Sequence, residues 1–249
     1  EISVYNLCLN ILGGIRPKDK IIHAKPVEFD KIELPYDYYS DFDIKNRHIY
    51  IESSRGCPFT CEFCLSSIDS SMRYLPVDVF LNEIDKLWNR GARNYKFIDR
   101  TFILKISYAK AILDYFLAKD EDYFLHFEVI PDNFPPELRE LLKKFKAGSL
   151  QLEVGIQTLN LDVAKNINRN LKIDKIKENL AFLSSKTNAH MHIDLIVGLP
   201  SETIDSFAQN LNLLYTLSSG EIQIGILKKL SGTTLNRHDE LHGMVYNPN

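Results

Sequence analysis

The 249-residue chain lacks any hydrophobic run near the roughly 20 residues that a membrane-spanning helix needs, and it shows no signal peptide. It also lacks an excess of charge of one sign, because 30 Lys and Arg stand beside 33 Asp and Glu. The resulting net charge of −3 gives no electrostatic reason to expect nucleic acid or an anionic membrane as a partner. Together with an ordinary globular composition, these absences favour a cytoplasmic protein with a sizeable core.

Cysteine is scarce, and three of its four positions fall within eight residues. Cys57, Cys61 and Cys64 have the spacing C-x3-C-x2-C, which is too clustered for a disulfide framework and typical of a metal centre. An iron–sulfur cluster is favoured by this spacing and by the strand that leads into the loop. Three thiolates would leave one iron of a four-iron cluster open to another ligand. Zinc stays an alternative that needs a fourth ligand, either Glu62 or the distant Cys8. For Cys8 itself we expect a plain buried thiol.

Hydrophobic periodicity from residue 48 onward predicts strands that alternate with helices. The strand-like segments are 48–54, 95–99, 124–130, 150–156, 189–197 and 221–227. The helical segments are 76–88, 106–117, one that opens at Pro136, 173–183, and one behind Ser201 as N-cap. This alternation implies an α/β fold with a parallel six-stranded sheet and right-handed crossovers. An open sheet and a partial barrel both fit, and either places a ligand site at the carboxyl ends of the strands.

The segment before this pattern, residues 1–46, has weak periodicity and is broken by Gly13-Gly14 and by several prolines. We interpret it as a lead-in or linker, or as the remnant of a preceding domain. Residues 47–230 are expected to form the core domain, and residues 231–249 an irregular C-terminal tail. Since the first residue is Glu1 rather than Met, we expect the chain to be a piece of a longer protein.

The cysteine loop follows the first strand and carries Phe63 just before its third cysteine, and in this it resembles the radical S-adenosylmethionine (radical SAM) superfamily. The resemblance implies a partial (β/α)6 barrel, similar to a TIM barrel, with a [4Fe-4S] cluster on Cys57, Cys61 and Cys64. Phe63 would lie beside the bound cofactor. The resemblance further implies that S-adenosylmethionine binds the open iron and is cleaved reductively to a 5′-deoxyadenosyl radical. The electron would come from a donor such as flavodoxin or ferredoxin.

Four polar positions are similar to cofactor contacts of the oxygen-independent coproporphyrinogen oxidase-like branch: Glu128, Gln157, Arg169 and Asp194. The resemblance implies that Gln157 and Asp194 take ribose hydroxyls and that Arg169 takes the carboxylate of S-adenosylmethionine, with Glu128 nearby. Without the resemblance, Arg169 would be interpreted as a surface cation at a helix end. Glu128 and Asp194 interrupt apolar strands, where an unpaired carboxylate is costly to bury.

Strand alternation places more polar residues on the same faces. His190 and His192 share a face with Asp194, as His126 does with Glu128. For any one of these histidines, a satisfied interior or strand-end residue is the better interpretation. Together they predict a polar barrel lining and hence a polar substrate.

One stretch departs from the superfamily pattern. After the second strand the superfamily often has a Gly-Gly-Glu turn that binds the methionyl amine, whereas residues 97–102 here read Phe-Ile-Asp-Arg-Thr-Phe. We expect Asp99 to replace that contact. This replacement and the lead-in at 32–36 resemble an uncharacterised subgroup of cobalamin-dependent (B12-binding) radical SAM proteins. Since the chain has no Asp-x-His-x-x-Gly motif, cobalamin would need a domain upstream of Glu1.

The resemblance therefore implies a radical SAM enzyme that performs cobalamin-dependent methyl transfer or rearrangement on an unnamed small-molecule or peptide substrate. Methylthiolation of RNA or protein is less favoured, since a second three-cysteine set and a basic C-terminal module are not in this sequence. The alternative from another class is a non-catalytic iron–sulfur or zinc protein, an electron carrier or a regulator. Such a protein would not need four polar residues around an open iron.

Overall fold

The computed structural model of the protein describes residues 2–22 and 28–247. Residues 1, 23–27 and 248–249, which belong to the predicted lead-in and tail, lie outside the described residues. Internal contacts divide the chain into two compact units, Glu1–Leu34 and Pro35–Asn249. The predicted domain limits after residues 46 and 230 stay predictions. In the first unit, helix α1 (Ile2–Leu12) carries Cys8, which is exposed and not buried as predicted.

The second unit is built around a parallel sheet. In the described residues the strands are β1 (Ile49–Ile51), β2 (Ser54–Arg55), β3 (Arg73–Tyr74), β4 (Asn94–Phe97), β5 (Phe124–Val129), β6 (Leu150–Gln157), β7 (His190–Val197) and β8 (Glu221–Ile226). The main sheet has the order β1-β4-β5-β6-β7-β8, and each neighbouring pair is parallel. β2 and β3 form a separate antiparallel pair on either side of the cysteine loop in sequence. The predicted parallel six-stranded sheet is confirmed.

Helices join these strands and continue beyond β8. They are α2 (Asp41–Asn46), α3 (Val77–Asn89), α4 (Ile106–Leu117), α5 (Pro136–Leu142), α6 (Leu161–Asn166), α7 (Ile173–Lys186), α8 (Ile204–Leu217) and α9 (His238–His242). α4 has the predicted bounds, whereas the short α2, α6 and α9 were not predicted, and α9 lies in the tail that was expected to be irregular. Among the helices of residues 2–22 and 28–247, none has the length and apolar character to cross a membrane.

The start of α8 differs from the prediction. Its N-cap is Thr203, whose side-chain oxygen accepts a hydrogen bond from Ser206 N at 3.1 Å. Ser201, predicted for this role, has a left-handed φ of 65°. An N-cap residue needs an extended backbone to turn its side chain toward the first helical amides, so Ser201 cannot take that position.

Burial along β6 decides between an open sheet and a barrel. Leu150, Leu152, Val154 and Ile156 are buried, while every intervening residue is half-buried. A parallel sheet covered by helices on both faces would carry apolar residues on both faces of each strand. Here the apolar face packs toward the helices and the other face carries polar residues, which is the arrangement of a partial (β/α)6 barrel with a polar interior.

Candidate functional site

The cysteine loop begins at a backbone position that only glycine can occupy. Gly56 has a φ of 99°, and a Cβ added there would lie 1.9 Å from Ser71 O. The next residue is fixed by a hydrogen bond from Cys57 N to Asp69 O at 3.1 Å. A side chain larger than hydrogen at position 56 would therefore push the loop away from the strand that follows it.

The three predicted cluster ligands line one cavity. Cys57 and Cys61 are buried and Cys64 is half-buried, and all three are free thiols. A hydrogen bond from Cys64 N to Cys61 O at 3.1 Å tightens the second half of the loop. Burial raises the pKa of the Cys57 thiol. Soft sulfur donors on one wall of a half-enclosed cavity fit a [4Fe-4S] cluster with an iron left open toward the cavity.

The cavity, which is open to solvent on one side, has a volume of about 150 Å³. It lies at the carboxyl ends of the strands, as predicted for this fold. Five of the six residues predicted to bind the cofactor line it; they are Phe63, Glu128, Gln157, Arg169 and Asp194.

Asp99, the sixth predicted cofactor residue, does not line the cavity. Its carboxylate is fully buried and accepts hydrogen bonds from Ser53 N at 3.0 Å and from the hydroxyls of Ser53 at 2.5 Å and Ser54 at 2.6 Å. These contacts join the end of β4 to the segment between β1 and the cysteine loop. Asp99 therefore supports the segment that leads into the cysteine loop. Its expected role in place of the Gly-Gly-Glu contact stays a prediction.

The carboxyl end of β6 is irregular at the cavity wall. The pairing of β6 with β7 shifts between Gly155 and Gln157, and Gln157 has a left-handed φ of 69°. A Cβ on Gly155 would lie 2.9 Å from Gln157 Nε2, so the glycine makes room for that side chain. A non-glycine residue in this conformation carries strain that is typical of functional sites.

The position of Arg169 follows from how α6 ends. Asn168 adopts a left-handed φ of 53°, Asn168 N donates to Lys165 O at 3.1 Å, and Arg169 N donates to Ala164 O at 2.8 Å. This pair of bonds is a Schellman motif, in which asparagine is one of the few residues that tolerate the left-handed position. Asn168 Nδ2 also donates to Thr60 Oγ1 at 2.6 Å, which ties the end of α6 to the cysteine loop.

The guanidinium of Arg169 reaches both the thiols and the irregular end of β6. Its Nη1 lies 3.6 Å from Cys61 Sγ, and its Nη2 donates to Gly155 O. Its Nε is buried and has no hydrogen-bond partner within the described part of the chain. A half-buried cationic group with a buried, unused donor beside the thiols suits an anionic ligand bound next to a cluster.

Three carboxylates give the cavity an acidic side. Glu128 pairs with Arg100 at 3.1 Å, and Glu153 lies 2.9 Å from His126 Nε2. The hydrogen bond from His126 lowers the pKa of Glu153, whereas burial raises the pKa of Glu128. Burial, with repulsion from Glu153 and Glu128, raises the pKa of Asp194 to about 7. This side of the cavity therefore favours ligand groups that donate hydrogen bonds or carry positive charge.

A contact that the sequence did not predict holds the cysteine loop from behind. The Glu62 carboxylate is buried, accepts a hydrogen bond from Arg237 Nε at 2.8 Å, and lies 2.8 Å from His238 Nε2. Arg237 Nη2 engages the second carboxylate oxygen at 2.5 Å. Because both oxygens are engaged, Glu62 is not free to act as the fourth zinc ligand, which favours the iron–sulfur cluster. Because Glu62 and Arg237 are 175 residues apart in the chain, no local sequence pattern could predict this contact.

Phe63 has a place in both the cavity and the core. It lines the cavity beside the thiols. Its ring also packs against a hydrophobic cluster formed by α6 and its C-cap, the segments that follow β7 and β8, and the C-terminal segment: Val163, Ile167, Leu199, Leu227 and Leu235. The aromatic residue before the third cysteine therefore anchors the loop as well as bounding the cavity.

Residues 51–214 match the model of the Radical SAM superfamily, which is more than half of the chain. The chain belongs to the Radical SAM superfamily, whose members are enzymes that bind a [4Fe-4S] cluster and S-adenosylmethionine. The resemblance carried by the cysteine loop is thereby confirmed, and the cavity described above has donors for both groups.

Known relatives show which branches this core is similar to. Ribosomal protein uS12 methylthiotransferase RimO of a Nitratiruptor species is 21% identical over 238 residues, covering 92% of this chain and 55% of that protein. The methyltransferase TsrM from Kitasatospora setae, solved with cobalamin and a [4Fe-4S] cluster bound, matches with a TM-score of 0.67 and 16% identity over 78% of this chain and 37% of that one. Coproporphyrinogen III oxidase HemN of Escherichia coli matches with a TM-score of 0.58 and 20% identity, and the match covers 77% of this chain and 46% of that one. The chain spans about half the length of the curated relatives it matches.

Proposed function

We propose that this chain is the core of an enzyme that cleaves S-adenosylmethionine reductively. Cys57, Cys61 and Cys64 would hold the [4Fe-4S] cluster, which when bound supplies the electron for cleavage of the sulfonium. The observation that carries the proposal is the convergence of three thiols and five further predicted cofactor residues on one cavity. A bare electron carrier has no use for such a cavity, and Glu62, the fourth zinc ligand considered from the sequence, is engaged by Arg237 and His238.

The side chains of the cavity have chemistry that fits their proposed roles. Arg169, with a buried unused donor next to Cys61, would bind the cofactor carboxylate. Asp194 and Gln157 would take the ribose hydroxyls, since a carboxyl and an amide can both accept from them. Glu128 would lie nearby, held by Arg100, and Phe63 would shield the cluster side from water.

For the group transferred, we favour cobalamin-dependent methyl transfer or rearrangement. Its support is the fold shared with the cobalamin-bound TsrM structure and the resemblance of the lead-in at 32–36 to cobalamin-dependent proteins. Cobalamin would be held by a segment outside this chain. Methylthiolation is the second candidate, and its support is the sequence similarity to RimO over 92% of the chain. In either case the electron donor would be a flavodoxin or ferredoxin, and the substrate a small molecule or a peptide.

The test is anaerobic reconstitution with iron and sulfide, followed by dithionite and S-adenosylmethionine. We expect about four irons per chain and either release of 5′-deoxyadenosine or transfer of the labelled methyl group. Arg169→Ala should keep its iron but bind S-adenosylmethionine about 10- to 100-fold more weakly, because a charge-assisted hydrogen bond contributes roughly 1.5–3 kcal/mol. The control Arg47→Ala removes an exposed arginine that pairs with Asp43 outside the cavity, and it should change neither value.

Two outcomes would overturn the proposal. One is stoichiometric zinc without iron after reconstitution. The other is a protein that binds the cluster but either does not bind S-adenosylmethionine or binds it equally well after Arg169→Ala. That result would support the electron carrier. The two transfer reactions separate on addition of cobalamin: labelled methyl transfer that depends on cobalamin supports the first candidate, and product sulfur supports methylthiolation.

A further inference from the structure

Two histidines and a glutamate converge at the amino ends of β7 and β8. Alternation along β7 puts His190 and His192 on one face, and the parallel register sets His192 opposite Glu221 on β8. Their ligand atoms all lie within 4.8 Å of one another. None of the three residues lines the carboxyl-end cavity that contains the thiols, although His192 is paired with Glu153, which does.

The separations match those of ligands around one metal ion. His192 Nε2 lies 3.1 Å from Glu221 Oε2, and His190 Nε2 lies 3.4 Å from Glu221 Oε1. Zinc bonds to imidazole nitrogen and carboxylate oxygen are about 2.0–2.2 Å, which at a tetrahedral angle sets neighbouring ligand atoms roughly 3.3–3.6 Å apart. The His190 separation falls in this range, and the His192 separation is about 0.2 Å shorter than its lower limit. The two rings meet edge to face, with centroids 4.9 Å apart, so they do not stack and both nitrogens remain directed at the carboxylate.

A neighbouring amide orients one of the rings. Gln151 Nε2 lies 3.2 Å from His192 Nδ1, and the oxygen and nitrogen of such an amide can exchange places by a turn of the side chain. With the oxygen facing Nδ1, the amide accepts the Nδ1 proton and leaves the Nε2 lone pair for a metal. Partners of this kind fix the tautomer of metal-binding histidines.

We propose that His190, His192 and Glu221 form a divalent-cation site that takes zinc, with solvent in the remaining coordination positions. Two imidazoles and one carboxylate favour zinc over magnesium or calcium, which prefer oxygen ligands. The His190 and Glu221 side chains are 47% and 69% exposed, so the ion has an open path and little desolvation to overcome. The role is structural: the ion ties β8, an edge strand with almost no buried side chain, to its neighbour β7. This proposal does not depend on the proposed function.

The experiment uses the anaerobically reconstituted holoenzyme, in which the cluster occupies the three cysteines. Zinc is titrated against a chromophoric chelator, and metal content is measured after gel filtration. We expect one zinc per chain and a Tm that rises with zinc concentration. His192→Asn and Glu221→Gln should each lower zinc affinity at least about 100-fold, because the loss of a ligand exceeds the 10- to 100-fold loss typical of an outer partner, and should remove the rise in Tm. The control His48→Asn changes an exposed histidine that packs on Phe124, and it should bind zinc as the unchanged protein does.

Substituting cobalt for zinc identifies the ligands. A spectrum of nitrogen and oxygen ligation supports the site, and thiolate-to-cobalt charge-transfer bands would assign the ion to the cysteines and overturn it. The proposal is also overturned if the holoenzyme binds no zinc, or if both variants bind zinc as tightly as the control. Neither result would bear on cleavage of S-adenosylmethionine, so the two proposals fail separately.

Discussion

Asp99 holds the segment before the cysteine loop, and its removal tests that role. Three donors lie 2.5–3.0 Å from its buried carboxylate: Ser53 N, Ser53 Oγ and Ser54 Oγ. Asp99→Ala leaves them without that acceptor, and each unsatisfied buried donor costs about 1–3 kcal/mol. Because the three donors can relax together, we expect the free energy of unfolding to fall by about 3–6 kcal/mol. That is a large part of the roughly 5–15 kcal/mol typical of a folded domain.

Asp99→Asn tests the contribution of the carboxylate charge to stability, because asparagine has nearly the same shape as aspartate. The amide keeps the volume and one oxygen, so we expect a loss of about 1–2 kcal/mol near neutral pH. Burial raises the pKa of Asp99, and the donors from Ser53 and Ser54 offset only part of that rise. When the pKa of a carboxyl is higher in the folded than in the unfolded state, the ionised form lowers the free energy of unfolding. This cost disappears as pH falls through the folded-state pKa. The stability of the unchanged protein relative to Asp99→Asn should therefore increase as pH is lowered from neutrality.

The measurement is anaerobic urea denaturation followed by circular dichroism, together with the Kd for S-adenosylmethionine. The control is Asp120→Ala at an exposed position, which should change stability by less than about 0.5 kcal/mol. The reasoning is refuted if Asp99→Ala is as stable as this control while its affinity for S-adenosylmethionine drops. That result would return Asp99 to the cofactor contact expected from the sequence.

Three further predictions concern the loop and the cavity wall. Gly155→Ala puts a Cβ 2.9 Å from Gln157 Nε2, so we expect a displaced Gln157 and a Kd for S-adenosylmethionine raised about five- to tenfold in an anaerobic titration. Gly56→Ala puts a Cβ 1.9 Å from Ser71 O, so we expect low iron content after reconstitution and a stability loss above about 2 kcal/mol. Glu62→Ala removes the carboxylate behind the loop, so stability should fall by about 2–4 kcal/mol and iron should be lost faster to a chelator.

The chain offers matched controls for these variants. Gly91 has the same φ of 99° as Gly56 but nothing within 4 Å of an added Cβ, so Gly91→Ala measures backbone strain alone. Gly225→Ala meets only Leu195 O at an ordinary 3.7 Å and should leave cofactor binding unchanged. Glu137→Ala, at an exposed position, is the control for the buried glutamate. Equal effects in a variant and its control would contradict the contact proposed for that residue.

The sequence predicted the repeating part of the fold because that part follows periodicities. The predicted bounds of helix 106–117 agree with the structure, since one apolar face repeats at helical spacing and the charged run 119–122 follows soon after Leu117. The alternation of β6 was equally clear, because a strand exposed to a polar interior on one side carries apolar residues only on the other. The prediction of Ser201 as the N-cap was wrong because Ser201 and Thr203 are both residue types that cap helices. Only the backbone conformation distinguishes them.

The geometry of the cavity wall depends on features that periodicity does not contain. α6 has six residues, too few for a helical repeat to stand out, yet its left-handed Asn168 is what places Arg169 against the thiols. The register shift near Gln157 is a local departure from strand geometry that periodicity does not show, and Gly155 inside the strand is the one sequence signal for it. The sequence does not indicate on which side of the sheet the Asp99 side chain lies. In the structure its carboxylate accepts a hydrogen bond from Ser53, 46 residues away in the chain.

Strand β7 joins the two proposed sites and also keeps them apart. His190, His192 and Asp194 share one face, and about 7 Å of strand separates His192 from Asp194. A cation held by His190, His192 and Glu221 is therefore not in direct contact with a cofactor held by Asp194, and its influence on the cavity passes through the strand and through Glu153, which is paired with His192. Since β7 is fixed along most of its length by pairing with β6 and β8, loss of the cation should loosen the amino end of β8 and leave the carboxyl-end cavity in place. Zinc binding and cofactor binding should thus be weakly coupled, which is why one protein preparation can test both.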